Sequence, residues 1–76
     1  MDIDGMREEL AAIRARMAAV KAEVTADVEA NWTSNWRNPD LVAIKAETRL
    51  SSHQEYRELI TRAREAEAAL AAAEAG

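Results

Sequence analysis

The chain has no cysteine and no phenylalanine, and only one proline, two glycines and one histidine among its 76 residues. Without cysteine, neither a disulfide nor a thiolate metal site can brace the fold, which excludes a stapled miniprotein. Glycine only at Gly5 and Gly76 leaves no glycine-rich phosphate loop, and nucleotide hydrolysis is disfavoured accordingly. The lone His53 has no companion that pairs with it convincingly, so it reads as a structural or solvated side chain. Asp2-Ile3-Asp4-Gly5 has the look of a calcium loop, but such a loop needs more ligands before its glycine and a glutamate at its twelfth position, where Ile13 stands. Asn31-Trp32-Thr33 has the spacing of a glycosylation sequon and reads as chance, since no secretory signal accompanies it. No catalytic constellation, cofactor motif or metal site emerges, and the expectation is a protein that is not an enzyme.

Long apolar runs are missing too. None is long enough to span a bilayer, and the opening MDIDGMREEL lacks both the basic leader and the apolar stretch of a signal peptide. The expectation is a soluble, cytoplasmic protein without membrane association. A surplus of positive charge is likewise absent, the formal net charge being −4 from fourteen acidic and ten basic residues. A binder of phosphate backbones concentrates positive charge, so nucleic acid is disfavoured as a partner.

What is abundant is alanine, with eighteen residues. Alanine favours helix but buries little area, so the apolar fraction of 49% overstates the core. A chain of this size with so thin a core commonly gains its stability by oligomerising.

The large apolar residues are spaced for a helix with one seam. Ile3, Met6, Leu10, Ile13, Met17, Val20 and Val24 follow one another at alternating steps of three and four, a heptad repeat with Ile3 at position a. Asp27 occupies the next d position, and the seam shifts through Val24, Val28 and Trp32 in the manner of a stutter. Asp2 or Asp4 can cap the start, and Gly5 leaves the first turn liable to fray. Arg7, Arg14 and Lys21 fall on the e positions and form a basic stripe beside the seam. Glu55, Glu58, Glu65 and Glu67 are candidates to face that stripe, and the alternative is a solvated surface of mixed charge. Ala11, Ala12, Ala15, Ala18, Ala19, Ala22 and Ala26 line the outer positions, as a smooth second face or simply as good helix-forming surface.

Asn38-Pro39-Asp40 marks the start of a second helix: a capping side chain, a first-turn proline whose missing N–H costs nothing there, and an early negative charge. Tyr56, Leu59, Ala63, Ala66, Leu70 and Ala73 carry a second seam of steps of three and four. Between the two, Ser52 and Glu55 have capping-box spacing. Either one helix runs through this point or two meet near Ser51. The absence of glycine and proline there favours one continuous or slightly kinked helix. The expected organisation is therefore a single all-α domain over 1–76, with a helix over 3–35, a connection over 36–38 and a helix over 39–74. Its fold would be an antiparallel helical hairpin with a coiled-coil-like seam, assembled into a helical-bundle oligomer.

Trp32 and Trp36 stand four apart in "NWTSNWRNPD", just before the second helix. Trp32, continuing the shifted seam, is expected to plug the closed end of the hairpin against Leu41, Val42 and Ile44. Trp36, beside Arg37 where the chain leaves the first helix, is the candidate anchor for a partner. In outline the chain resembles the secreted two-helix proteins that carry a tryptophan in the turn followed two residues later by glycine. Ser34 and Asn38 hold the glycine positions here, and Ile60 stands where their export signal has an acid four after a tyrosine, so the resemblance is one of shape alone.

The functional expectation is a protein–protein interaction or assembly module, a homo-oligomer with a larger protein partner, of the kind used as scaffolding or virion components, adaptors and small inhibitors. The alternative is a regulator of nucleic-acid transactions, with arginines of the second helix (Arg57, Arg62, Arg64) on phosphates or an acidic face mimicking DNA.

Overall fold

The computed structural model describes residues 2–32 and 38–76, and among them the chain is all helical, with no strand. The three helices are α1 (Ile3–Ala30), α2 (Pro39–Ser52) and α3 (Gln54–Ala75).

Each helix starts where a side chain can satisfy backbone N–H groups that have no partner within the helix. Asp2 caps α1, its Oδ1 accepting from the Gly5 N–H at 3.1 Å. Gly5 serves this cap directly, because a Cβ there would stand 2.7 Å from the Asp2 Oδ2. Asn38 caps α2, its side-chain oxygen accepting from the Asp40 N–H at 2.9 Å, and Pro39 opens the first turn. α1 closes at Ala30 rather than continuing to 35: the Asn31 amide folds back to donate to the Asp27 carbonyl at 2.8 Å and to its carboxylate at 3.0 Å. A side chain that bonds its own backbone in this way competes with further helix.

The second arm is broken, not continuous. His53 has extended backbone (φ −78°, ψ 114°) and serves both as the end of α2 and as the cap of α3, its Nδ1 accepting from the Tyr56 N–H at 3.3 Å. The capping box expected of Ser52 and Glu55 is not what forms. Ser51 and Ser52 turn back to donate to the carbonyls of Thr48 (2.7 Å) and Arg49 (3.1 Å), which ends α2 and passes the capping role one residue on. An imidazole nitrogen takes the place of the usual hydroxyl or carboxylate oxygen, so a scan for serine, threonine, aspartate or asparagine caps passes over it.

Packing places α1 against both α2 and α3. Among the described residues eight apolar side chains are buried, and six of them form two small clusters, with Leu10 and Ala63 outside both. Val20, Leu50 and Leu59 make the first, with Ile13, Met17, Val24 and Tyr56 packed against it. Val28, Val42 and Ala46 make the second, with Val24 and Trp32 against it, so Val24 joins the two. On α2 the stripe Val42, Ala46 and Leu50, four apart, faces α1. The molecule is thin, with extents of 55 × 19 × 16 Å and a radius of gyration of 16.2 Å. A compact chain of this length has about 11 Å.

Candidate interaction surfaces

The α1 seam residues divide by depth. Leu10, Val20 and Val28 are buried, while Ile3, Met6, Ile13, Met17 and Val24 are half-buried. On α3, Leu59 and Ala63 are buried, and Tyr56, Ala66, Leu70 and Ala73 are half-buried. Ala11, Ala12, Ala15, Ala18, Ala19, Ala22 and Ala26 are all exposed.

Ion pairs tie the helices along one joint between α1 and α3. The Arg7 Nε and Nη2 both donate to Glu74 Oε1, at 3.2 and 2.9 Å, and the Arg14 Nη2 donates to Glu67 Oε1 at 2.8 Å. Both partners step by seven residues in opposite directions, so α3 runs back along α1. Lys21, the third cation of the stripe, is exposed and makes no ion pair among the described residues. Glu55, Glu58 and Glu65 do not meet the stripe. Glu55 is taken by Arg16, whose Nε and Nη2 reach its two oxygens at 2.7 and 3.0 Å in a forked pair, with Glu23 3.8 Å away on the other side. Hydrogen bonding to Arg16 holds the Glu55 carboxyl below the usual glutamate range, with the charge of Arg16 adding to the effect. The same bonds raise the Arg16 guanidinium, and those from Glu74 raise that of Arg7. At the other end of α1, Arg49 pairs with Asp27. Asp27 at a seam position thus has a use: it anchors α2 and receives the Asn31 amide.

Trp32 lies beyond the end of α1, its half-buried ring packed on Val28, Val42 and Ala46. The Lys45 Nζ sits 5.4 Å from the ring centroid, within the range of cation–π attraction. The Trp32 Nε1 is buried and finds no hydrogen-bond partner among the described residues. Of the three residues expected beneath this ring, only Val42 is there. Leu41 and Ile44 point outward, 47% and 59% exposed, because they lie about 100° and 200° around the helix from Val42. Trp36 and Arg37, the candidate anchor, lie outside the described residues.

The other joint between α1 and α3 is open. A groove of about 750 Å³ runs along it, with Met6, Ile13 and Leu59 among its apolar lining and Ala12, Ala66 and Ala69 leaving room above them. Its charged lining comprises Glu9, Arg16, Glu55, Arg62 and Glu65. Among the described residues no group of three or more histidine, aspartate and glutamate side chains is placed to hold a metal ion. No described helix is long and apolar enough to cross a membrane.

Sequence reasoning missed the Arg16–Glu55 and Arg49–Asp27 pairs and the His53 cap. Arg16 and Glu55 stand in ordinary mixed-charge stretches, and only the register between helices brings them together. No family model matches the chain, and no curated protein or solved structure matches it either.

Proposed function

We propose that the chain is a helical hairpin, α1 folded back on α2 and α3 along a coiled-coil-like seam, that serves as a non-enzymatic interaction and assembly module. It self-associates through helical faces and presents the resulting bundle to a larger protein, in the manner of scaffolding or virion components, adaptors and small inhibitors. The observation that carries this reading is surface. The chain exposes 5655 Å², where a compact monomer of 8.4 kDa exposes about 4,600 Å². Two clusters of three buried residues each are a small core for two arms of this length. Burying a further face against another chain relieves that shortage without any change of fold.

A regulator of nucleic acid is the weaker reading. On α3 Arg57 and Arg64, seven apart, lie within about 20° of one another, but Arg62 stands about 140° to 160° away from them and Glu58 and Glu65 interrupt the run, so the three arginines do not form one basic face. Sedimentation equilibrium between 1 and 200 µM tests the assembly reading; these concentrations bracket, to order of magnitude, a micromolar Kd. The expected result is a mass of twice the chain or more over the upper part of that range, and a single species of 8.4 kDa throughout would overturn it.

A further inference from the structure

We infer that the open joint between α1 and α3 is the seat of a second copy of this chain, whose α3 lies antiparallel in the groove about a two-fold axis passing between Arg62 and Glu65. The inference rests on the self-association proposed above and names the face that performs it. Three observations carry it.

The first is asymmetry. One joint between the helices is closed by Arg7–Glu74 and Arg14–Glu67, whereas the other carries only Arg16–Glu55 at one end of the groove. From Glu55 to Ala69 the groove follows about 21 Å of α3, close to four turns. The small Ala12, Ala66 and Ala69 along it let another helix approach Ile13 and Leu59 closely.

The second is area. The chain exposes 5655 Å², about 1,000 Å² more than a compact monomer of its mass. Each partner in a stable dimer of standard size contributes about 800 Å².

The third is charge. Arg62 and Glu65 both line the groove, are exposed, and make no ion pair among the described residues. The proposed axis sets Arg62 of each copy opposite Glu65 of the other, giving two reciprocal pairs from one residue of each sign. It also lays Glu58 opposite the small, uncharged Ala69. Self-complementarity of this kind is what a two-fold interface requires, since one patch must satisfy itself. The exposed Leu41 and Ile44 on α2 are the rival face, but with Asp40 and Glu47 on one flank and Lys45 on the other, an antiparallel two-fold contact there would set like charges together.

The test is charge exchange read by sedimentation, with helicity by circular dichroism as the control for folding. Arg62→Glu and Glu65→Arg, each alone, place like charges together twice per dimer and are expected to weaken dimerisation about tenfold or more. The double variant exchanges the charges and is expected to return to within about threefold of the wild-type constant. Leu41→Ser with Ile44→Ser is expected to leave the dimer intact. A wild-type chain that stays monomeric removes the self-association reading itself. A wild-type dimer unaffected by either single reversal, or one lost in the α2 variant alone, overturns this interface while leaving self-association standing. Single variants that dissociate without recovery in the double variant overturn the two-fold pairing.

Discussion

Glu55 shows how much one side chain can be asked to do in a molecule with little core. Its carboxylate receives the forked Arg16 pair and so couples the first turn of α3 to the middle of α1, just past the break at His53. A carboxyl held below its ordinary value stabilises the fold in full above the unfolded value of about 4.3 and loses that contribution as pH falls through the folded value. Glu55→Gln cannot ionise and lacks the contribution at every pH. Its melting midpoint is therefore expected below that of the wild type at pH 7, with the gap closing as pH drops beneath about 4. Parallel thermal melts of the two proteins between pH 7 and 2.5 check this, as a range spanning the glutamate value of about 4.3. A gap constant with pH would mean that the Arg16 pair contributes nothing specific to the folded state. Trp32 presents the opposite situation, a large ring that closes the second cluster while leaving its indole N–H without a described partner.

At the scale of the element, the helices differ in what faces inward. On α1 the inner stripe consists of branched and sulfur-containing residues and the outer surface is alanine, so the two sides respond differently to the same insult. Ile13 packs against the cluster of Val20, Leu50 and Leu59, whereas Ala15 is exposed. Ile13→Asp removes apolar contact and puts a charge against that cluster, an expected loss of more than about 3 kcal/mol. Ala15→Asp loses only helix propensity, about 0.7 kcal/mol. Urea titrations of the two variants measure the difference, and equal losses would show that the buried side of α1 has been misassigned. The break in the second arm belongs to this scale as well. Ser51, Ser52 and His53 end one helix and cap the next by hydrogen bonds to neighbours within three residues, and the resulting bend lets the α2 and α3 stripes both reach α1.

The whole molecule is a thin rod with more surface than its mass requires, and this shapes how it should unfold. If further burial comes from other copies of the chain, then the folded state is linked to assembly by mass action. The melting midpoint is then expected to rise with protein concentration, by several degrees over a hundredfold range, since about 1 kcal/mol moves the midpoint of a domain this small by about 4–8 °C. Calorimetry or circular dichroism at 2 and 200 µM distinguishes this from a fixed midpoint, because for a dimer a hundredfold range is worth about 2.7 kcal/mol of linkage shared between two chains, about 1.4 kcal/mol for each. A fixed midpoint would mean that the two clusters suffice by themselves.

Helical class was legible from composition and spacing, because alanine content, the steps of three and four, and the Asn38-Pro39-Asp40 start are local properties of the chain. The cap of α1 was legible as Asp2 or Asp4 for the same reason, since a capping side chain acts within three residues of its own position, and the structure selects Asp2. The break at His53 was only half legible: Ser52 and Glu55 signalled it, but the choice between a serine hydroxyl and an imidazole depends on where the Ser51 and Ser52 hydroxyls turn, and spacing does not encode that. The ion pairs lie at the far end of the same gradient. Arg16 and Glu55 are 39 residues apart, and Asp27 and Arg49 are 22 apart. Whether such residues meet depends on the axial register of one helix along another, which the packing of Val20, Leu50 and Leu59 sets through contacts between distant parts of the chain. Tertiary structure likewise decided that Leu41 and Ile44 face outward and that one joint between α1 and α3 stays open. Periodicity marks which side of a helix is apolar, but only the positions of its neighbours determine how much of that side is covered.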